Sequence, residues 1–167
     1  MTLANQLVSR WQDDGIAIAD GVSIAAVEDF QQKYNVILPS DFHAYLTVIN
    51  GMGEPFTCDN NMFSFWPIEQ IESVADHFPK RKANVIDAKR YFMFSDHSIS
   101  LPTYAIKLSN NRSDPTPIAT VFSDFGAFDL EDFCDSFTDF VRLYLDDPTH
   151  LSTCLPTATV ERLREDA

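Results

Sequence analysis

Positive charge is scarce in this chain: 12 Lys and Arg stand against 25 Asp and Glu, a formal net charge of −13. Such a surface repels phosphate backbones and anionic lipid headgroups, which argues against nucleic-acid and membrane partners and favours a basic protein. Cysteine is scarce as well. Cys58, Cys134 and Cys154 lie far apart with no CxxC spacing, so reduced thiols are expected and no disulfide framework. Long apolar runs are missing, and no stretch approaches the roughly 20 residues of a membrane helix. The first residues carry neither the basic start nor the apolar run and cleavage site of a secretory signal, so a cytoplasmic location is expected. Sequence motifs of catalysis are also lacking: there is no GxSxG, HExxH, P-loop or GxGxxG. No catalytic residue, metal or cofactor is therefore assigned, and an enzyme is not expected.

What the chain does have is apolar material, 45% of its 167 residues, with fourteen Phe. That is enough for one domain with a real core, spanning residues 1–167. Leu3, Leu7 and Trp11 predict a short amphipathic helix that breaks at Asp13-Asp14-Gly15. Ser23 can cap a second helix in which Ile24, Val27, Phe30 and Tyr34 recur at helical spacing. Pro39 forces a turn. A third helix then buries Phe42, Tyr45, Leu46 and Ile49 and ends at Asn50-Gly51, where glycine can take a left-handed C-cap. The texture changes to strands at Met62–Trp66, Tyr91–Phe94, Thr103–Leu108, Pro117–Phe122 and Phe125–Leu130, with a helix expected between Ile68 and Lys82. A last strong helix runs from about Ser136 to Leu145 with Phe137, Phe140, Val141 and Tyr144 inward, and the tail from Leu155 to Glu165 can add a short one. Helices, then a run of strands, then a helix is an α+β order: a single mainly antiparallel sheet with helices packed around it.

Four segments in this order resemble the SUKH superfamily, which includes yeast regulators of cell-wall glucan synthesis and bacterial immunity proteins. The first is the run from Val27 to Gly51, an acidic amphipathic helix followed by Leu38-Pro39, a polar capping pair, a second helix and Asn50-Gly51. The second is Phe63-Ser64-Phe65-Trp66-Pro67-Ile68-Glu69-Gln70-Ile71; the third is Tyr91-Phe92-Met93-Phe94-Ser95-Asp96, similar to a family strand reading Phe-x-Asp; the fourth is Ser136-Phe137-Thr138-Asp139-Phe140-Val141. Together they cover about residues 23–145, leaving the N-terminal helix and the C-terminal tail as extensions. The resemblance implies one sheet wrapped by helices, a generic interaction surface and no catalytic residues. It also implies a role as an immunity protein that binds and neutralises a toxin, possibly a nuclease. A regulatory adaptor in signalling or cell-envelope synthesis is the alternative.

Asp124-Phe125-Gly126 spells a kinase metal-binding motif, but nothing else of a kinase accompanies it. His43, His77, His97 and His150 sit on different elements with no ligand spacing. Asp96-His97 is the best local pair for acid–base work, and a small enzyme acting near Asp96, His97 and Tyr104 is the reading from another class. Two features carry the binding hypothesis. Asp124, Asp129, Glu131, Asp132, Asp135 and Asp139 precede the next basic residue, Arg142, with Phe128, Leu130, Phe133 and Phe137 interleaved. The carboxylates are expected to project to solvent and meet a basic toxin domain, while the apolar residues anchor them. Among the aromatics Phe56, Phe63, Phe65 and Trp66, core is expected for Phe63 and Phe65, and Trp66 is the candidate for a recognition surface.

Overall fold

The computed structural model describes residues 1–54, 56–79, 82–83, 87–123 and 127–165. Four helices come before or just after the strand run: α1 (Leu3–Asp13), α2 (Ile24–Tyr34), α3 (Ser40–Val48) and α5 (Phe137–Asp146). Each begins or ends for a chemical reason. Ser23 Oγ accepts the Ala26 N–H at 3.2 Å and caps α2, while Asn35 ends it in the left-handed conformation (φ 51°). Ser136 and Asp139 form a reciprocal pair at the start of α5: the serine hydroxyl accepts the Asp139 N–H at 3.1 Å and donates to its carboxylate at 2.7 Å. Pro148 does stop α5, but it also opens a further turn, α6 (Pro148–Ser152), and the tail folds as α7 (Thr157–Glu165).

Among the described residues, seven strands make one sheet: β1 (Phe63–Phe65), β2 (Glu72–Ser73), β3 (Lys82–Ala83), β4 (Tyr91–His97), β5 (Thr103–Lys107), β6 (Ile118–Ser123) and β7 (Ala127–Cys134). Their order is β1-β4-β5-β6-β7-β3, with β2 also on β4, and all pairs are antiparallel except β3 with β7. The sheet buries both faces. On one, Phe65, Phe94, Tyr104 and Ile106 meet Trp11, Phe42, Tyr45, Phe137, Phe140 and Tyr144 from α1, α3 and α5. The rings tilt against each other at 4.8–6.5 Å, as their quadrupoles prefer. On the other, a smaller core of Met93, Ala105, Ala119, Val121 and Phe128 lies under Val74 of the one-turn helix α4 (Val74–His77).

Three expectations need correction. Ile24 keeps the helical spacing of α2 but is 67% exposed, because the buried stripe runs through Val27 and Phe30. Gly51 is left-handed (φ 58°), yet it does not cap α3: that helix ends at Val48 and Ile49 is already extended. Between Ile68 and Lys82 no long helix forms. Pro67 and Pro79 bracket a segment that makes a single 3-10 turn (Ile68–Gln70), β2 and α4, and Phe78, restricted by the following proline, leaves the helical region. Asp124, Phe125, Gly126, Lys80 and Arg81 lie outside the described residues.

A candidate binding cleft

The residues proposed from sequence do not form one surface. Trp66 follows β1 at one side of the sheet, and the acidic run is β7, four strand positions away, about 19 Å at the usual spacing of about 4.8 Å. On β7 the alternation of a strand divides the carboxylates. Asp129 is only 4% exposed: it accepts the Thr159 hydroxyl at 2.7 Å and pairs with Arg162, both on α7. Two residues on, on the same side, Glu131 accepts the Thr157 N–H and hydroxyl at 2.6 and 2.9 Å. Asp132 points to the other side and accepts the Tyr91 hydroxyl at 2.9 Å, and Asp139 is held in the α5 cap. Asp135 is exposed. Asp124 lies outside the described residues. The expectation that these carboxylates all face solvent therefore fails at Asp129, because α7 folds back over that part of the strand.

Trp66 leads to a different place. It lines a cleft of about 500 Å³ that crosses the β1–β2 edge of the sheet. Its indole Nε1–H donates to Asp96 Oδ2 at 3.1 Å, and Asp96 pairs across the strands with Ser64, so the three form the floor. The far wall is the turn after β1. Asn50 sets it, accepting the Ile68 N–H at 2.8 Å and donating to Glu69 at 3.0 Å, and His77 closes it with a 2.7 Å contact to Glu72. Tyr34, packed on Phe30 and Phe92 at 4.9 and 5.0 Å, forms the side toward α2, with Lys33 over its ring.

The rim is apolar and strained. Phe56 is 87% exposed, Ile99 is 72% exposed and Met62 is exposed beside them. All three have left-handed backbone, with φ of 64°, 60° and 66°, and Ile99 lies between Ser98 and Ser100 at 50° and 66°. Bulky and β-branched residues pay roughly 1–2 kcal/mol each for that conformation. Surrounding structure must impose it. For the first loop the anchor is Asp59, which accepts the N–H groups of Asn61 and Phe63 at 2.8 and 2.9 Å and the hydroxyl of Tyr144. Tyr144 in turn accepts the Trp11 indole at 3.0 Å, so the buried core of α1 and α5 fixes the position of the rim. Strain held in place by a rigid frame is a common mark of a functional surface. Replacing Ile99 by Gly removes it: the variant should melt at the wild-type temperature or a few degrees above it, and a clear drop in melting temperature would show that the loop is not strained.

Asp96 is buried in the floor, and burial raises its carboxyl above the ordinary value; hydrogen bonds from Trp66 and Ser100 and the charge of His97 offset part of that. A carboxyl whose folded-state pKa lies above its unfolded one opposes folding as pH rises past the unfolded value. Asn keeps an acceptor for the indole without the charge. Asp96→Asn should therefore raise the melting temperature at pH 7, with the gap closing near pH 3, where the aspartic acid is neutral in both states. A gap that stayed constant with pH would mean that the charge is not its source.

The acid–base constellation is not assembled. Asp96 shares the cleft face with Ser64, whereas His97 sits over Phe63 at 4.9 Å on the helix-covered face. Tyr104 is on that face too, and its hydroxyl donates to the Leu151 carbonyl at 3.0 Å. Among the described residues no cluster of three His, Cys, Asp or Glu is placed to hold a metal ion, and no helix is long and apolar enough to cross a membrane. Of the rim and floor, Phe56, Trp66 and Asp96 stood out in the sequence. Met62 and Ile99 did not, since nothing but their backbone conformation distinguishes them from ordinary core residues.

The profile of the SMI1 / KNR4 family (SUKH-1) matches residues 21–143, about three quarters of the chain. The chain belongs to that family. The matched span of this SUKH-1 protein holds every element of the cleft, from Lys33 to Ser100, and leaves out α1, α6 and α7. A search of curated proteins finds no significant match.

Proposed function

We propose that this protein acts by binding, without catalysis, and that the cleft beside Trp66 grips a protein partner. The observation that carries the reading is the rim: Phe56, Met62 and Ile99 are exposed, apolar and held in left-handed backbone around one cavity. Three such side chains in water are a cost to the free protein unless something covers them. The separation of His97 and Tyr104 from Asp96 supports binding over acid–base chemistry. Within the SUKH-1 family, the partner we favour is a toxin domain with a basic surface, masked by its immunity protein. The net charge of −13 favours such a partner, and exposed carboxylates such as Asp135 would steer it from a distance.

Co-expression tests this. The chain should restore growth to cells producing the toxin domain encoded beside it, and Phe56→Ala should abolish the rescue while leaving expression and folding unchanged. Rescue by Phe56→Ala at wild-type level would remove the cleft from the mechanism. No rescue by the wild type, with a purified toxin that does not bind it, would remove the immunity role and favour a regulatory adaptor.

A further inference from the structure

We propose that the cleft seats a cationic side chain of the partner, arginine or lysine flanked by apolar residues, with Asp96 as its counter-ion and the Trp66 ring beside it. The inference deepens the binding role given to the cleft and rests on it. The charges lining the cavity are unequal: among the described residues, Glu69, Glu72 and Asp96 face a single ammonium, Lys33. Lys33 stands over the Tyr34 ring at 4.6 Å, Glu69 is tied to Asn50 and Glu72 to His77. Asp96 differs from the other two carboxylates. It is the buried one, its Oδ2 accepts the indole N–H, and among the described residues no lysine or arginine pairs with it.

The chemistry of the occupant follows by comparing what each class would leave behind. An anionic group would meet three carboxylates across a cavity with low-dielectric walls. A purely apolar group would seal Asp96 away from water with no counter-ion, which is expensive for a carboxylate. A cation flanked by apolar residues satisfies both halves of the site, its charge at the floor and its neighbours against Phe56, Met62 and Ile99. Arginine has a further advantage, because its planar, weakly hydrated guanidinium lies readily against an indole. Recognition through an added strand is not open at this edge. Phe65 O already accepts the Met52 N–H at 2.8 Å, and Phe63 exchanges bonds with Asp59 at 2.9 Å in both directions. The partner must therefore be read through its side chains.

The two tryptophans make the test specific. Trp11 is fully buried in the helix-side core, and Trp66 lines the cleft, so their two indole N–H resonances report on different places. The probe is a capped Leu-Arg-Leu peptide added to the full chain, compared with the same peptide carrying citrulline, which keeps the shape of arginine and removes its charge. The arginine peptide should shift the Trp66 resonance saturably and leave Trp11 in place, and citrulline should bind at least about tenfold more weakly. Asp96→Asn should bring the two peptides to equal affinity. Equal affinity on the wild type, or no movement of Trp66 with up to about 10 mM arginine peptide, would overturn the assignment. Failure of the cleft itself reads differently: toxin binding would then survive Phe56→Ala, whereas failure of the counter-ion alone leaves Phe56→Ala defective and Asp96→Asn as tight as wild type.

Discussion

Asp129→Lys is expected to destabilise the fold by about 3–5 kcal/mol, a fall of the melting temperature on the order of 10 °C. The carboxylate is 4% exposed, and it bonds to Thr159 and Arg162, both on α7. A lysine there would place an ammonium against Arg162 in a site with little water, and α7 would lose its main anchor on β7. Asp135→Lys, three turns of the strand pleat away and exposed, should change stability by no more than about 0.5 kcal/mol. Thermal melting of the two variants side by side checks both statements. Equal melting of Asp129→Lys and wild type would mean that α7 does not hold this strand. The same comparison guards the steering argument: an effect of surface charge on association should be read from Asp135, because a loss of binding at Asp129 would reflect a damaged fold.

Gly51→Val should be comparably damaging, costing more than about 3 kcal/mol. The residue is left-handed at φ 58°, and a β-carbon on it would sit 2.5 Å from the Phe65 carbonyl oxygen and 2.6 Å from the Trp66 carbonyl carbon. Relief of that contact requires β1 to move away, and β1 leads directly into Trp66. Gly51→Ala separates the parts, since it keeps the β-carbon clash without the branched side chain. Soluble Gly51→Val with an unchanged melting curve would mean that the close approach of this turn to β1 is wrong.

Much of the fold was legible in the chain because its signals are local. Helical spacing placed Val27, Phe30, Phe42, Tyr45, Leu46, Phe137, Phe140, Val141 and Tyr144 in the core, and the strands from Phe63, Tyr91, Thr103 and Ile118 begin within a residue or so of where β-branched and aromatic runs set them. The failures come from contacts distant in sequence. Nothing near Asp129 signals that Thr159 and Arg162, thirty residues on, will cover it, so an alternating acidic strand looked like an open surface. Gly51 was rightly singled out, for a reason that belongs to packing against β1 instead of the end of α3. The site shows the same division. Trp66 and Phe56 were conspicuous as aromatics and Asp96 as an acid beside a histidine, but their convergence depends on the register of β1 on β4. Ile99 and Met62 acquire their meaning only from backbone angles, which carry no composition signal.

The most direct test combines affinity and stability in one variant. Ile99→Gly removes an apolar side chain from the rim and relieves its left-handed backbone, so its two effects should run in opposite directions. Calorimetric titration of wild type and Ile99→Gly with the purified partner, beside thermal melting of each, should show binding weakened at least about tenfold at an equal or higher melting temperature. Undiminished affinity in a folded Ile99→Gly protein would contradict a function centred on this cleft.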